Sequence, residues 1–167
     1  IMRAEGDQVN EYVLEEKSGD RVDPQLASKD IEIPEAYVYG FGGNKNWTEE
    51  FREFENEISK DLKLRYGGAL VGDVNQVLHH GGIFAYPERT DAPEGKLRLM
   101  FEANPIAHIF HNAGGASTDG EKSILKIEAE EIHQRTPLYL GNKEMIQKVE
   151  EEQESDESSE DSDQEED

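Results

Sequence analysis

Apolar residues recur along the chain in two rhythms, every second position in some stretches and every third or fourth in others, and the two rhythms alternate. That alternation predicts an α/β fold, a mixed β-sheet flanked by helices. Residues 9–16 and 31–41 are rich in β-branched and aromatic side chains. They are separated by the turn formers Ser18-Gly19-Asp20 and Asp23-Pro24, and are expected to be strands of one sheet. Thr48 stands where an N-cap belongs, ahead of an inward stripe of Phe51, Phe54, Ile58 and Leu62, with Glu49 and Glu50 well placed in the first turn. A second helix carries Leu70, Val71, Val74, Val77 and Leu78 on one face and should stop at Gly81-Gly82, where left-handed backbone costs little. Residues 83–86 then read as a short strand. A third helix is bracketed by Asn104 as cap, Pro105 in its first turn and Gly114-Gly115 at its end, with Ile106, Ile109 and Phe110 inward. Residues 137–140 read as a strand, and Asn142 opens a last helix that runs on into the C-terminal stretch.

At 167 residues the chain has room for one ordinary domain. Charge changes the picture at the C-terminus: residues 150–167 hold twelve acidic side chains, no basic and no apolar one. Such a segment cannot build a core, so the expected organisation is a domain over 1–149 followed by a disordered acidic tail over 150–167. The whole chain carries 39 acidic and 17 basic residues, a formal charge of −22, and the body without the tail is still at −10. At this sign a nucleic-acid backbone repels the protein, so nucleic acid is not an expected partner. The excess fits adaptation to concentrated salt, where a Debye length of about 3 Å at 1 M screens self-repulsion, as well as a merely acidic protein. No run of apolar residues is long enough to cross a bilayer. The absence of cysteine excludes a disulfide framework, a thiolate nucleophile and Cys-ligated metal, and fits a cytoplasmic setting. The opening Ile1-Met2-Arg3-Ala4-Glu5-Gly6 lacks the sections of a secretion signal and reads as cut into rather than begun.

Candidate chemistry gathers in Gly95-Lys96-Leu97-Arg98-Leu99-Met100-Phe101-Glu102-Ala103-Asn104-Pro105-Ile106-Ala107. In an extended stretch Lys96, Arg98 and Glu102 project to one side while Leu97, Leu99 and Phe101 anchor the strand in the core. Two cations beside one carboxylate suit a phosphate monoester together with a divalent metal held by hard oxygen ligands. Charges alternating on a half-exposed strand, and an acid ahead of a helix, are also ordinary surface chemistry.

This block resembles the active-site signature of class 1 fructose-1,6-bisphosphatases. Upstream, Arg65-Tyr66-Gly67-Gly68-Ala69-Leu70-Val71-Gly72-Asp73-Val74 and Gly81-Gly82-Ile83-Phe84-Ala85-Tyr86-Pro87 continue the resemblance. So do Ala113-Gly114-Gly115-Ala116 and Ile132-His133-Gln134-Arg135-Thr136-Pro137 downstream. It spans residues 6–149 and corresponds to the C-terminal half of the family, whose fold there is a mixed sheet flanked by helices.

The resemblance implies that Lys96 and Tyr86, joined by Tyr66, hold the 6-phosphate end of the sugar. Arg65 corresponds to an arginine lent across a subunit interface, which implies a homo-oligomer for a full-length enzyme. The backbone at Gly68, Ala69 and Leu70 would lie against the sugar, with Ala69 and Leu70 standing where serine and methionine are common. Arg98 would face the anion or support the site. Glu102 would be the catalytic carboxylate of this half, a ligand for Mg²⁺ bridging to the 1-phosphate. In the loop Gly40-Phe41-Gly42-Gly43-Asn44-Lys45-Asn46-Trp47 the family's usual Asn-Glu-Gly run is missing, and Asn44 is the candidate substitute.

The function implied is magnesium-dependent hydrolysis of the 1-phosphate of fructose 1,6-bisphosphate, giving fructose 6-phosphate and phosphate, a gluconeogenic reaction. Sedoheptulose 1,7-bisphosphate, one carbon longer, suits the same clamp. A non-catalytic phosphate-binding or interaction protein with an acidic tail is the alternative from another class. The family's Asp-Pro-Leu-Asp-Gly-Ser-Ser-type metal motif does not occur in the 167 residues, so the chain by itself is expected to be inactive.

Overall fold

The computed structural model describes residues 1–17, 21–43 and 45–160. The chain opens with three antiparallel strands, β1 (Met2–Glu5), β2 (Gln8–Lys17) and β3 (Arg21–Ser28). It continues through β4 (Val38–Phe41), α1 (Glu49–Ile58), β5 (Lys63–Leu64), α2 (Leu70–His80), β6 (Gly82–Tyr86) and β7 (Leu97–Arg98). The last part comprises α3 (Asn104–Asn112), β8 (Ala116–Thr118), β9 (Arg135–Thr136), β10 (Leu138–Gly141) and α4 (Lys143–Glu160).

Five strands form a mixed sheet in the order β5-β4-β6-β10-β8, with β4 parallel to β5 and β6, and β10 antiparallel to β6 and β8. Strand alternation divides its side chains between two cores. Val38, Phe84, Tyr86, Leu138 and Leu140 face α2 and α3, where they meet Val74, Val77, Leu78, Ala107 and Phe110. Tyr39, Phe41, Ile83, Ala85 and Tyr139 face the other way onto Phe51, Phe54 and Ile58 of α1 and Ile146 and Val149 of α4. The result is helices on both faces of one sheet, as the alternating rhythms predict. Because β6 is central and covered on both sides, all five of its residues are buried.

The helix termini follow the sequence. Thr48 caps α1 by accepting the Phe51 N–H at 3.2 Å. Helix α2 ends where Gly81 takes φ +70. Asn142 starts α4, its carbonyl accepting from Met145 and Ile146.

Two expectations need correction. Segments 9–16 and 31–41 do not share a sheet: β2 pairs with β1 and β3, while only Val38–Phe41 of the second segment is strand and belongs to the large sheet. Residues 31–37 form an irregular connector whose Ile31 and Ile33 N–H groups reach Val9 and Ala113 carbonyls across sheet boundaries. Asp23-Pro24 lies within β3 rather than breaking the chain, because β3 is an edge strand and proline there removes no ladder bond that the sheet needs. The last helix runs on past residue 150, as the pattern from Asn142 onward predicts, its backbone helical through Glu160. Glu and Gln are good helix formers, and Ile146 and Val149 anchor the first turns. The turn-former triplet at 18–20 and the final residues 161–167 lie outside the described residues. No helix of the described residues is long and apolar enough to cross a membrane.

Candidate functional site

Three of the residues singled out in the sequence converge at one end of the large sheet. Tyr86 is the last residue of the central strand β6. Its ring is 7% exposed, stands edge-on to Phe84 at 5.6 Å between centroids, and is backed by Gly42, where any side chain would overlap it. Tyr66, on the loop between β5 and α2, places its hydroxyl 3.0 Å from the Tyr86 hydroxyl. From the far side Lys96 brings Nζ to 4.8 Å from the centre of the Tyr86 ring. Lys96 is held in that position by its own backbone: Arg135 Nη1 donates to the Lys96 carbonyl, and the preceding Gly95 packs against the Thr136–Pro137 peptide with φ +81, a conformation and a clearance that only glycine combines.

The Tyr66 phenol is held well above the ordinary tyrosine range, first by burial, then by its hydrogen bond to Tyr86 and by the neighbouring charges of Tyr86 and Asp73. It therefore keeps its proton at neutral pH and remains a donor. Within the phenol pair one hydroxyl donates to the other, which leaves one phenol O–H and the Lys96 ammonium as free donors, a cluster suited to the oxygens of a phosphate monoester.

Gly68, at φ +77, lies in the loop beneath Tyr66. The flanking N–H groups of Gly67 and Ala69 donate to Asp73 Oδ1 and Oδ2 at 2.6 and 3.0 Å. Asp73 was not among the residues singled out by the sequence. A signal for it exists: Ala69, at the cap position of α2, has no side-chain acceptor, and Asp73 is the acid in the first turn able to replace one.

Glu102 and Arg98 form a separate pair. Only Leu97 and Arg98 are extended; residues Leu99–Ala103 turn into a π-helix that runs directly into α3. The expected strand face shared by Lys96, Arg98 and Glu102 is therefore not formed. Phe101, expected in the core, is half exposed and lies under the Arg98 guanidinium at 5.1 Å. The turn instead brings Glu102 back to Arg98, whose backbone N–H and Nε donate to Oε2 at 2.9 and 3.3 Å. Asn104, the expected helix cap, is already helical for the same reason. Single π-helical turns are rare and concentrate at functional sites.

Arg65 turns its guanidinium back onto its own chain, Nη1 donating to the Leu64 carbonyl at 3.0 Å, and takes no part in the tyrosine cluster. Asn44 lies outside the described residues. As a test for magnesium, the donor set falls short: among the described residues no three His, Asp or Glu side chains are grouped to hold a metal ion. Glu102 belongs to no such group among the described residues, and its Oε2 is engaged by Arg98. These residues do not by themselves make a magnesium site.

The family model described as "Fructose-1-6-bisphosphatase, C-terminal domain" matches residues 32–154. The chain belongs to that family. Among named relatives, a class 1 fructose-1,6-bisphosphatase of Haloarcula marismortui is 50% identical over 144 residues, covering 85% of this chain and 48% of the relative. The class 1 enzyme of Natronomonas pharaonis is 49% identical over 152 residues, covering 90% of this chain and 52% of the relative. A crystal structure of Leishmania major fructose-1,6-bisphosphatase in its T-state superposes with a TM-score of 0.81 at 30% identity, over 90% of this chain and 49% of that one. The chain thus spans about half the length of the fructose-1,6-bisphosphatases it matches. Halophilic archaea supply the two named sequence relatives, which agrees with the acidic surface.

Proposed function

We propose that this chain supplies the sugar 6-phosphate side of a class 1 fructose-1,6-bisphosphatase active site. The full reaction would be attack of water on the 1-phosphate of fructose 1,6-bisphosphate, with transfer of a proton to the leaving sugar oxygen, giving fructose 6-phosphate and inorganic phosphate. The observation that carries this reading is the cluster of Tyr66, Tyr86 and Lys96. The hydrogen-bonded phenol pair has one O–H left to donate, the second being released if a phosphate oxygen replaces the bond between them, and the ammonium beside them offsets the charge of a group near −2. The Gly68 loop lies next to this cluster and is the surface on which the sugar would rest.

Binding and orienting the substrate through its distant phosphate is this chain's contribution to the rate. The other half of the chemistry needs donors that these residues do not provide. Glu102 is proposed as one carboxylate of a magnesium site completed by groups outside this chain, with Arg98 fixing its orientation. Arg65, facing away from the local cluster, is proposed to serve a neighbouring copy in a homo-oligomer. A cytoplasmic setting and a salt-adapted surface complete the proposal.

The test is a titration of the nitrogen-15-labelled 167-residue chain with fructose 6-phosphate. The expected result is saturable shifts at Tyr66, Gly68, Tyr86 and Lys96. Shifts confined to other surfaces, or none, would overturn the reading. Release of phosphate from fructose 1,6-bisphosphate by the purified chain with Mg²⁺ would contradict the claim that the metal site is incomplete here.

A further inference from the structure

The carboxylate of Asp73 is 4% exposed, a degree of burial rare for an acid in the first turn of a helix. Both of its oxygens are engaged, and both by backbone N–H groups of one short loop: Gly67 to Oδ1 at 2.6 Å and Ala69 to Oδ2 at 3.0 Å. The helix supports this placement from its own side, because Asp73 N–H donates to the Ala69 carbonyl at 2.9 Å and the unsatisfied N-terminal amides favour a negative charge. A Cβ at Gly67 would stand 3.2 Å from Oδ1, a tight approach that glycine avoids.

The Gly67 amide is the peptide that follows Tyr66. Fixing it fixes the direction in which the Tyr66 side chain leaves the backbone, and that side chain ends 3.0 Å from the Tyr86 hydroxyl, beside Lys96. The same two bonds hold the Gly68 backbone between them. Two parts of the sugar-phosphate surface, a phenol and a loop, are therefore set by one buried carboxylate that reaches neither the Tyr86 hydroxyl nor Lys96 through any bond of its own.

We propose that Asp73 is a positioning residue for this clamp: by bridging the Gly67 and Ala69 N–H groups it orients the Tyr66 hydroxyl toward Tyr86 and shapes the Gly68 loop for the sugar phosphate. The inference rests on the proposed function above. Its chemistry is indirect, since Asp73 acts through the loop. Replacing one carboxylate oxygen with an amide turns an N–H acceptor into an N–H donor, which removes one of the two bonds and sets two donors against each other.

The experiment uses the 167-residue chain with carbon-13 at tyrosine Cζ, as wild type, Asp73→Asn and Lys96→Ala, with fructose 6-phosphate as the probe. Asp73→Ser, which retains a short acceptor, is run in parallel so that a folded variant is available should Asp73→Asn misfold. In either folded Asp73 variant the Tyr66 and Tyr86 Cζ resonances should move while that of Tyr139, in the opposite core, stays. Affinity for fructose 6-phosphate should fall about tenfold. A merely structural role would instead move all three tyrosines together and lower thermal stability without this selectivity.

An unmoved Tyr66 resonance, or unchanged affinity in an Asp73 variant when Lys96→Ala abolishes binding, overturns the positioning role and leaves the reading of the site standing. A wild-type chain that binds no more tightly than Lys96→Ala overturns that reading, and the inference with it.

Discussion

Replacing Lys96 with methionine keeps the length and most of the volume of the side chain while deleting its charge. Two consequences can be separated by size. The first is loss of the contact between Nζ and the Tyr86 ring, 4.8 Å from its centre. Lys96 is exposed, and at exposed positions such a contact is worth about 0.5–1 kcal/mol. In a chain of this size that lowers the melting temperature by roughly 1–4 °C. The second is loss of a charge-assisted hydrogen bond to the phosphate, worth about 1.5–3 kcal/mol, or roughly 10- to 150-fold in Kd.

Affinity should therefore fall much further than stability. The assay pairs a fructose 6-phosphate titration with a thermal melt of the same two proteins. A Kd within about twofold of wild type in a folded Lys96→Met chain would refute the reasoning, since a charge-assisted bond cannot be lost so cheaply.

Further expectations bear on the same framework. Gly42→Ala pushes a methyl group into the Tyr86 ring, so it should cost about 1–3 kcal/mol and weaken fructose 6-phosphate together with stability, measured by denaturant melts and titration. Magnesium titrated calorimetrically into the wild-type chain should give no saturable heat in the micromolar range, since among the described residues no three possible ligands are grouped to hold it; tight saturable binding would contradict the incomplete donor set. Burial, and then the hydrogen bond to Glu55 and that residue's charge, push the Tyr39 phenol up to about 12. Its proton is thus held more tightly in the folded chain than in the unfolded one. The resulting stability is fully present below the ordinary tyrosine value near pH 10 and is lost as pH rises toward 12. Over that window the melting temperature of Tyr39→Phe should fall less steeply than that of wild type.

Much of the fold was legible because its signals are local. Thr48 with the stripe Phe51, Phe54 and Ile58 marks α1, Gly81-Gly82 ends α2, and residues 83–86 are strand in the structure as in the pattern. What escaped depends on contacts distant in sequence. The pattern over 31–41 looks uniformly strand-like, yet Ile31 and Ile33 are apolar because a connector covers α3 and β2, and no short-range rule distinguishes that from a sheet. The site divided along the same line. Tyr66, Tyr86 and Lys96 come from three separate blocks, and the family resemblance, rather than any spacing, united them. Glu102 and Lys96, six positions apart, looked like one strand face, but the π-helical turn sends one toward Arg98 and leaves the other on Tyr86. Asp73 escaped because its role is visible only once its two backbone donors are located.

A crystal of the 167-residue chain soaked with fructose 6-phosphate examines the central claim directly. The account predicts the phosphate within hydrogen-bond reach of Lys96 Nζ and of the Tyr66 and Tyr86 hydroxyls, with the sugar over the Gly68 loop. Phosphate density away from those three groups, for instance on the exposed Lys63 and Arg65 side chains, would contradict it.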